Sequence, residues 1–190
     1  KYIDITGLLS ADDYYKTDTH WKQECITDIA ELLGKEMGTD VSADYKVNVL
    51  DNPFYGVYYG QLAIPFKADT IKYLTNSTLD NCKVTYYDTG KAVTGDLYSM
   101  EKAFSKDPYE MFLRGVMPLV TLENANPKTD KNLIVFRDSF GSSLAPLLLE
   151  GYNKITVVDI RYVNSAFLGN LVDFSNADAL FIYSTTLLNN

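Results

Sequence analysis

The chain has 190 residues, of which 46% are hydrophobic and 22% are charged, and its formal net charge at pH 7 is -8. A chain of this size can bury roughly two thirds of its unfolded surface in one core, so we expect a single domain over residues 1–190. The acidic charge argues against nucleic acid as a partner, because such binding depends on Lys and Arg neutralising phosphates.

The cysteines, the histidine and the hydropathy pattern exclude further classes. Cys25 and Cys82 form neither a disulfide framework nor a zinc spacing, and one histidine with scattered carboxylates gives no ligand cluster, so no metal or cofactor is expected. No run of about eighteen apolar residues occurs, so no transmembrane segment is expected in this chain. The chain starts at Lys1, without Met or a signal-like segment. We therefore interpret the chain as the C-terminal part of a longer protein that is secreted or anchored at its N-terminus.

The N-terminal part predicts one long helix followed by an aromatic segment. Apolar residues recur at helical spacing from Trp21 to Met37. We place the start of this helix at Asp18 or Thr19, whose side chains are good N-caps. Residues 45–66 predict a strand, an aromatic loop and a short helix.

The rest of the chain is typical of an α/β sheet, because short runs rich in Val and Ile form buried strands. The predicted strands are Lys83–Tyr87, a return strand from Ala92 after a turn at residues 88–90, Leu119–Leu122, Leu133–Phe136, Ile155–Asp159 and Leu180–Tyr183. Helices are predicted at residues 140–149 and 164–172. Alternating strands and helices imply an open sheet covered on both faces, in which ligands bind outside the carboxyl ends of the strands.

Ser139 is a candidate nucleophile because it follows the predicted strand Leu133–Phe136 and precedes a predicted helix. Hydrolases of the α/β class expose their nucleophile at such a junction, where helix N–H groups can stabilise an oxyanion. Serine at this position is also a common N-cap, and position alone favours that structural interpretation.

His20 is the only histidine, so any imidazole base must be this residue. At the predicted helix start the imidazole would stay neutral and able to accept a proton. Asp18, two residues earlier in an extended segment, would point to the same side and fix the tautomer. A lone histidine at a helix start is more often a surface or capping residue.

Two further side chains are candidates for contacting a substrate. Arg161 lies just past the strand that ends at Asp159, at the same edge of the sheet as Ser139, and could clamp a carboxylate or phosphate, although a structural ion pair is the commoner explanation. Adjacent tyrosines such as Tyr58 and Tyr59 could stack on sugar rings, although tyrosines more often pack at the edge of a core.

Three stretches resemble the DHHW family and the SGNH-like alginate O-acetylation proteins, in the family's order. The segment from Tyr14 to Trp21 contains an Asp-x-His pair before Trp, residues 136–141 (Phe-Arg-Asp-Ser-Phe-Gly) resemble the nucleophile segment, and residues 54–62 resemble the aromatic and glycine stretch between them. The resemblance implies an SGNH-hydrolase-like (flavodoxin-like) α/β fold, a three-layer sandwich with a mostly parallel central sheet.

The resemblance also implies a site and a chemistry. The implied triad is Ser139, His20 and Asp18, with an oxyanion held by the backbone N–H groups of Ser139 and Gly60. The implied function is that of an extracytoplasmic serine esterase or O-acyltransferase acting on a cell-surface or extracellular carbohydrate, alongside partner proteins of a polysaccharide-modifying system. The alternative is a catalytically degenerate module that binds a glycan or a partner protein.

The sequence departs from the family pattern at three points. Arg137 stands where the SGNH nucleophile segment has Gly, which affects how closely the backbone approaches a substrate. Thr19 stands where the DHHW signature has a second His. No residue matches the SGNH asparagine that donates to the oxyanion, and only location favours Asn153 and Asn164.

Overall fold

The computed structural model describes residues 1–62, 65–88 and 91–188. Its strands are β1 (Lys46–Phe54), β2 (Asp69–Thr75), β3 (Lys83–Asp88), β4 (Lys91–Gly95), β5 (Leu119–Glu123), β6 (Asn132–Arg137), β7 (Lys154–Val158) and β8 (Ala177–Ile182). Its α-helices are α1 (Thr27–Glu36), α2 (Val57–Leu62), α3 (Ser77–Asn81), α4 (Met100–Ala103), α5 (Gly141–Leu144), α6 (Leu168–Leu171) and α7 (Thr185–Leu188). Most of the turn predicted at residues 88–90 lies outside the described residues.

The main sheet has six strands in the order β4-β3-β5-β7-β6-β8. Only β7, β6 and β8 run parallel, and the other neighbouring pairs are antiparallel. The sheet is therefore mixed, and the prediction of a mostly parallel sheet was wrong. The apolar run of β5 reflects burial on both faces, which gives an antiparallel strand the composition of a parallel one.

Apolar side chains cover both faces of the sheet, as expected for an α/β fold. Along β6, Leu133 and Val135 point into the larger core, whereas Ile134 and Phe136 point into a smaller cluster on the other face. Helix α1 packs on the larger core through its buried apolar residues, and Leu168 of α6 packs on the smaller cluster. Within the described residues no helix combines the length and apolar character needed to cross a membrane.

The hairpin of β1 and β2 forms a separate two-stranded antiparallel sheet. Its register shifts between Val49 and Pro53, and proline is tolerated at such an irregularity because it has no N–H to donate. Phe54, at the end of β1, is fully buried. The chain then turns into α2, so the hairpin fixes where the aromatic segment lies.

The first long helix begins at Thr27 rather than at Asp18 or Thr19, so the predicted helix start was wrong. The preceding residues form a loop that is closed by its own backbone. Lys22 N–H donates to the Asp13 carbonyl at 2.7 Å, and Tyr15 N–H donates to the His20 carbonyl at 3.1 Å. Asp18, Thr19 and His20 therefore occupy the tip of a hairpin-like loop, and His20 does not lie at a helix N-terminus.

Gln23 is fully buried and holds three parts of the fold together. Its Nε2 donates to the Ser143 carbonyl at 2.8 Å, and its Oε1 accepts from the backbone N–H of Leu74 at 2.8 Å and from the hydroxyl of Tyr98 at 3.2 Å. If the amide were removed, the N–H of Leu74 and the carbonyl of Ser143 would each lose this partner in the interior, whereas the hydroxyl of Tyr98 would keep its hydrogen bond to the Leu74 carbonyl at 2.6 Å.

We expect Gln23→Leu to lower the free energy of unfolding by about 2–3 kcal/mol, since buried groups without partners carry that order of penalty. Urea unfolding of purified protein measures the change. Gln61→Leu is the matched control, because Gln61 is exposed on α2 and its loss should change stability by less than about 0.5 kcal/mol. Equal effects of the two substitutions would contradict this role.

Candidate active site

Side chains from the two distant stretches form one continuous hydrogen-bonded chain. His20 Nε2 lies 2.7 Å from Ser139 Oγ, and His20 Nδ1 lies 2.5 Å from Asp18 Oδ1. The imidazole is 14% exposed. The distance from Nε2 to Ser139 Oγ allows proton transfer and the distance from Nδ1 to Asp18 allows the carboxylate to orient the imidazole, so the arrangement can activate a hydroxyl nucleophile.

The carboxylate of Asp18 is buried, and both of its oxygens accept hydrogen bonds. Its Oδ1 also accepts from the backbone N–H of His20, and its Oδ2 accepts from the N–H of Val57, each at 3.0 Å. Burial acts to raise the pKa of Asp18, but the hydrogen bonds and charge of His20 and the N–H of Val57 outweigh it and lower the pKa. The ionised carboxylate accepts the Nδ1 proton, which leaves the Nε2 lone pair toward Ser139.

A close backbone approach brings α2 onto Asp18. A Cβ added to Gly56 would lie 2.2 Å from the Asp18 Cβ, so only glycine fits there. Thr17 fastens the approach, since its Oγ1 accepts from Gly56 N–H at 3.1 Å and its carbonyl accepts from Tyr58 N–H at 2.9 Å. Thr17 Oγ1 in turn donates to Asp69 at 2.7 Å.

Trp21 connects the histidine loop to the nucleophile segment. Its indole N–H lies 3.1 Å from the Phe140 carbonyl and 3.0 Å from Ser143 Oγ, and the ring is 3% exposed. The ring also meets the Phe140 ring edge-on at 5.3 Å. The residue after His20 thus fixes the loop directly against the residue after Ser139, which explains why Trp suits this place.

Ser139 lies in the turn between β6 and α5, as the sequence predicted. Asp138 shapes this turn, since its Oδ1 accepts from Phe140 N–H at 3.0 Å and its Oδ2 accepts from Ser184 N–H at 2.7 Å. In the described part of the chain the backbone N–H of Ser139 donates to no protein acceptor. That N–H can therefore serve a negatively charged oxygen formed beside Ser139.

Arg137 is 1% exposed and its side chain runs into the protein rather than over the serine. Its Nη2 donates to the Gly115 carbonyl at 3.3 Å, and its Nη1 lies 3.7 Å from Asp159 Oδ2. A Cβ on Gly141 would lie 2.4 Å from the Arg137 Cβ, so the glycine of α5 makes room for the Arg stem. The larger residue at this position therefore leaves the approach to Ser139 open.

The carbonyl held by Arg137 belongs to a left-handed turn. Leu113, Arg114 and Gly115 have φ angles of 52°, 59° and 71°. Such φ values cost roughly 1–2 kcal/mol for each residue other than glycine, so other contacts must hold the turn. Leu113 N–H donates to the Leu97 carbonyl, and Arg137 holds the other end of the turn.

Arg161 reaches the expected edge of the sheet and forms an ion pair there. Its Nε and Nη2 donate to the two carboxylate oxygens of the fully buried Asp159, at 2.9 and 2.6 Å. This geometry matches the structural ion pair that the sequence left open as the commoner explanation. The side chain is 36% exposed.

Gly60 and Tyr59 lie on α2, which touches the site through its first turn. Val57 N–H reaches Asp18, whereas Gly60 is exposed, with nothing near the position of a Cβ. Tyr59 is 40% exposed and its ring lies 4.5 Å from that of Tyr55, which is 46% exposed. Tyr55 and Tyr59 thus form an exposed aromatic pair near Asp18, at one end of the hydrogen-bonded series of Asp18, His20 and Ser139.

Both asparagines considered for the oxyanion use their side chains elsewhere, and Asn153 lies at the wrong end of the sheet. Asn153 precedes β7, which is parallel to β6, so it lies at the end of the sheet opposite to Ser139. Its side chain donates to Asn132 at 3.2 Å. Asn164 caps the turn Ser165–Phe167 by accepting from the N–H of Ala166 at 3.0 Å.

Sequence reasoning missed three residues that shape this site. Thr17 and Asp69 anchor the loop, and the Tyr109 ring stacks on His20 at 3.9 Å. Thr17 is adjacent to the recognised motif, but the other two lie far along the chain, where no local pattern marks them. Among the described residues no group of three or more His, Cys, Asp or Glu side chains could hold a metal ion.

We expect Arg137→Met to lower the free energy of unfolding by about 2–4 kcal/mol, somewhat less than a broken buried ion pair, because Arg161 still neutralises Asp159. Urea unfolding measures the loss. Lys83→Met is the control, since Lys83 forms an exposed ion pair that should contribute less than about 1 kcal/mol. A loss no larger than that of the control would contradict the buried role of Arg137.

Comparison with known proteins identifies structural relatives. No family model matches the sequence, and no curated protein does so. A DHHW family protein from Eubacterium siraeum DSM 15702 is 25% identical with a TM-score of 0.74, over 90% of this chain and 58% of that one.

Bacillus cereus PatB1 matches in two structures. With a sulfonyl adduct it is 22% identical with a TM-score of 0.72, over 93% of this chain and 62% of that one. The other structure of PatB1 is 20% identical with a TM-score of 0.69, over 93% of this chain and 64% of that one. The chain spans about 60% of the length of these proteins. The predicted relation to the DHHW family is thereby confirmed.

Proposed function

We propose that this chain performs acyl-ester chemistry through an acyl-serine intermediate on Ser139, as an esterase or O-acyltransferase of a cell-surface or extracellular carbohydrate. The observation that carries the proposal is the unbroken chain from Asp18 through His20 to Ser139, with distances of 2.5 and 2.7 Å. A capping serine and a surface histidine would not require this alignment together with a buried, ionised carboxylate.

In the first half-reaction His20 Nε2 takes the proton of Ser139 Oγ as this oxygen attacks the acyl carbon of an ester. The tetrahedral adduct then collapses, the bond to the alcohol oxygen breaks, and the imidazolium returns the proton to that oxygen. The negative charge of Asp18 stabilises the imidazolium while it exists. The free alcohol leaves and the acyl group remains as an ester on Ser139.

In the second half-reaction the acyl group passes to a hydroxyl. His20 Nε2 removes a proton from water or from a sugar hydroxyl, the resulting oxygen attacks the acyl-serine, and the proton returns to Ser139 Oγ as the ester bond breaks. Water as acceptor gives an esterase and sugar gives an acyltransferase. The ratio of hydrolysis to transfer depends on how far a bound sugar acceptor excludes water from the acyl-serine.

The negatively charged oxygen of each tetrahedral adduct needs hydrogen-bond donors. The N–H of Ser139 supports the proposal, because it lies at the nucleophile and is not used elsewhere in the described residues. Gly60 stays a prediction as the second donor, and it would need a substrate that reaches the exposed end of α2.

The surface beside the site suits a sugar rather than an anionic polymer. Tyr55 and Tyr59 present exposed rings two residues before and two residues after Val57, whose N–H holds Asp18, and aromatic faces stack on the C–H faces of sugars. The formal net charge of -8 disfavours polyanions. Tyr59 and the exposed part of Arg161 remain predicted substrate contacts.

The relatives support the same class of chemistry. An adduct is a covalent product, and sulfonyl electrophiles react with activated nucleophiles, so the sulfonyl adduct of PatB1 suggests a reactive group in this fold. The chain spans only part of the length of its relatives. For the whole protein we also propose an extracytoplasmic location and partners in a polysaccharide-modifying system. A single domain over residues 1–190 stays a prediction.

We expect a fluorophosphonate probe to label Ser139 and the protein to hydrolyse a small aryl acetate. Ser139→Ala should abolish labelling and reduce hydrolysis to background, and His20→Ala should slow hydrolysis by about 10²–10⁴-fold, as for the loss of a general base. Peptide mass spectrometry and initial rates measure both. Ser142→Ala is the matched control, because this neighbouring serine is buried and its Oγ has no hydrogen-bond partner among the described residues.

Two outcomes would decide against the enzyme. Hydrolysis unchanged in Ser139→Ala and His20→Ala would show that the activity arises elsewhere. Absence of both labelling and hydrolysis in the folded protein, together with retained binding of a glycan, would favour the degenerate binding module.

We expect Gly56→Ala to lower the rate of ester hydrolysis by about 10²-fold, because the added methyl group displaces Asp18 and misplaces the base. The measurement is kcat for the aryl acetate in protein shown by circular dichroism to be folded. Gly169→Ala is the control, since a Cβ there meets nothing within 4 Å. A Gly56→Ala enzyme as fast as the control would exclude Asp18 as an essential partner of His20.

A further inference from the structure

The imidazole of His20 contacts two aromatic rings, and one of them is nearly parallel to it. The ring of Tyr109 stacks on His20 with centroids 3.9 Å apart and planes inclined by 13°. Phe140 is tilted at 46° with its centroid 4.9 Å away. The close parallel contact restricts rotation of the imidazole about the bond that would move Nε2 away from Ser139.

Tyr109 is itself fixed in place by hydrogen bonds of both its backbone and its side chain. It lies in the turn Pro108–Met111, its N–H donates to the carboxylate of the capping residue Asp107 at 3.1 Å, and the side chain is buried. Its hydroxyl lies 2.9 Å from Ser143 Oγ, the same atom that accepts from the indole of Trp21. Burial raises the pKa of Tyr109, so the phenol stays protonated and the ring carries no charge.

We propose that Tyr109 is a positioning residue for His20, which fixes the plane of the imidazole and stabilises the imidazolium formed during acyl transfer. The inference rests on the proposed function of His20 as base. A neutral aromatic face attracts a cation, and the attraction is strongest where water is excluded, as at this buried ring. The neutral imidazole of the ground state is attracted less strongly than the imidazolium, so the contact with Tyr109 stabilises the transition state more than the ground state.

The geometry predicts separate effects for the ring and for the hydroxyl. Tyr109→Leu removes the aromatic face and should lower kcat by about tenfold with KM changed by less than about twofold, the size expected for one cation–π contact. Tyr109→Phe keeps the face and should keep kcat within about threefold, since the hydroxyl acts only through Ser143. Phe112→Leu is the structural control, because Phe112 contacts Tyr109 but is not among the rings stacked on His20.

A second readout does not depend on activity. His20 is the only histidine, so its ring C–H signals in a proton NMR spectrum belong to it without further assignment. A ring stacked on the imidazole shifts these signals upfield. The wild type, Tyr109→Phe and Phe112→Leu should share the shifted signals, and Tyr109→Leu should move them downfield.

Two results would overturn the inference: signals unchanged in Tyr109→Leu, or a kcat in Phe112→Leu that falls as far as in Tyr109→Leu. If the wild type hydrolyses no ester, the proposed function fails, while the NMR comparison still decides whether Tyr109 orients His20. If Tyr109→Leu does not fold, Tyr109→Met takes its place, because the flexible Met side chain fills an irregular apolar space without an aromatic face.

Discussion

The buried carboxylate of Asp18 is the constraint on which the site depends. A carboxylate removed from water is costly unless hydrogen bonds replace the water, and three parts of the chain supply those bonds or the space for them. The histidine loop supplies the N–H and the imidazole of His20, α2 supplies the N–H of Val57, and the missing side chain of Gly56 supplies the space. Satisfying this one charge therefore also orients the imidazole toward Ser139.

The contact between the two distant stretches has a second component, a set of hydrogen bonds centred on the hydroxyl of Ser143. Trp21 and Tyr109 both reach Ser143 on the helix that follows the nucleophile, so one hydroxyl joins the histidine loop, the turn at residues 108–111 and α5. Arg137, two residues before Ser139, connects the end of β6 to the left-handed turn at residues 113–115 and to Asp159. The residue that departs from the family pattern thus supports the strand without narrowing the approach to Ser139.

Much of this arrangement could be predicted from sequence, and the failures have physical causes. Apolar runs located β5 to β8, but composition reports burial rather than strand direction, which is why the mixed sheet was missed. The helical spacing of apolar residues beginning at Trp21 suggested a helix start at Asp18. Trp21 is buried, but it belongs to a loop that backbone hydrogen bonds close, so its burial does not indicate a helix. Resemblance paired His20 with Ser139. Tyr109 could not be found, because nothing local marks a residue whose partner lies far along the chain.

The proposed mechanism requires an acyl-serine intermediate on Ser139, and this intermediate can be observed directly. The protein is mixed with a small aryl acetate, quenched with acid within the first turnover, digested and examined by mass spectrometry. We expect the mass of one acetyl group on the peptide that contains Ser139, and its absence in Ser139→Ala. Release of the aryl alcohol without acetyl on that serine, or acetyl on another residue required for turnover, would show that Ser139 does not carry the acyl group.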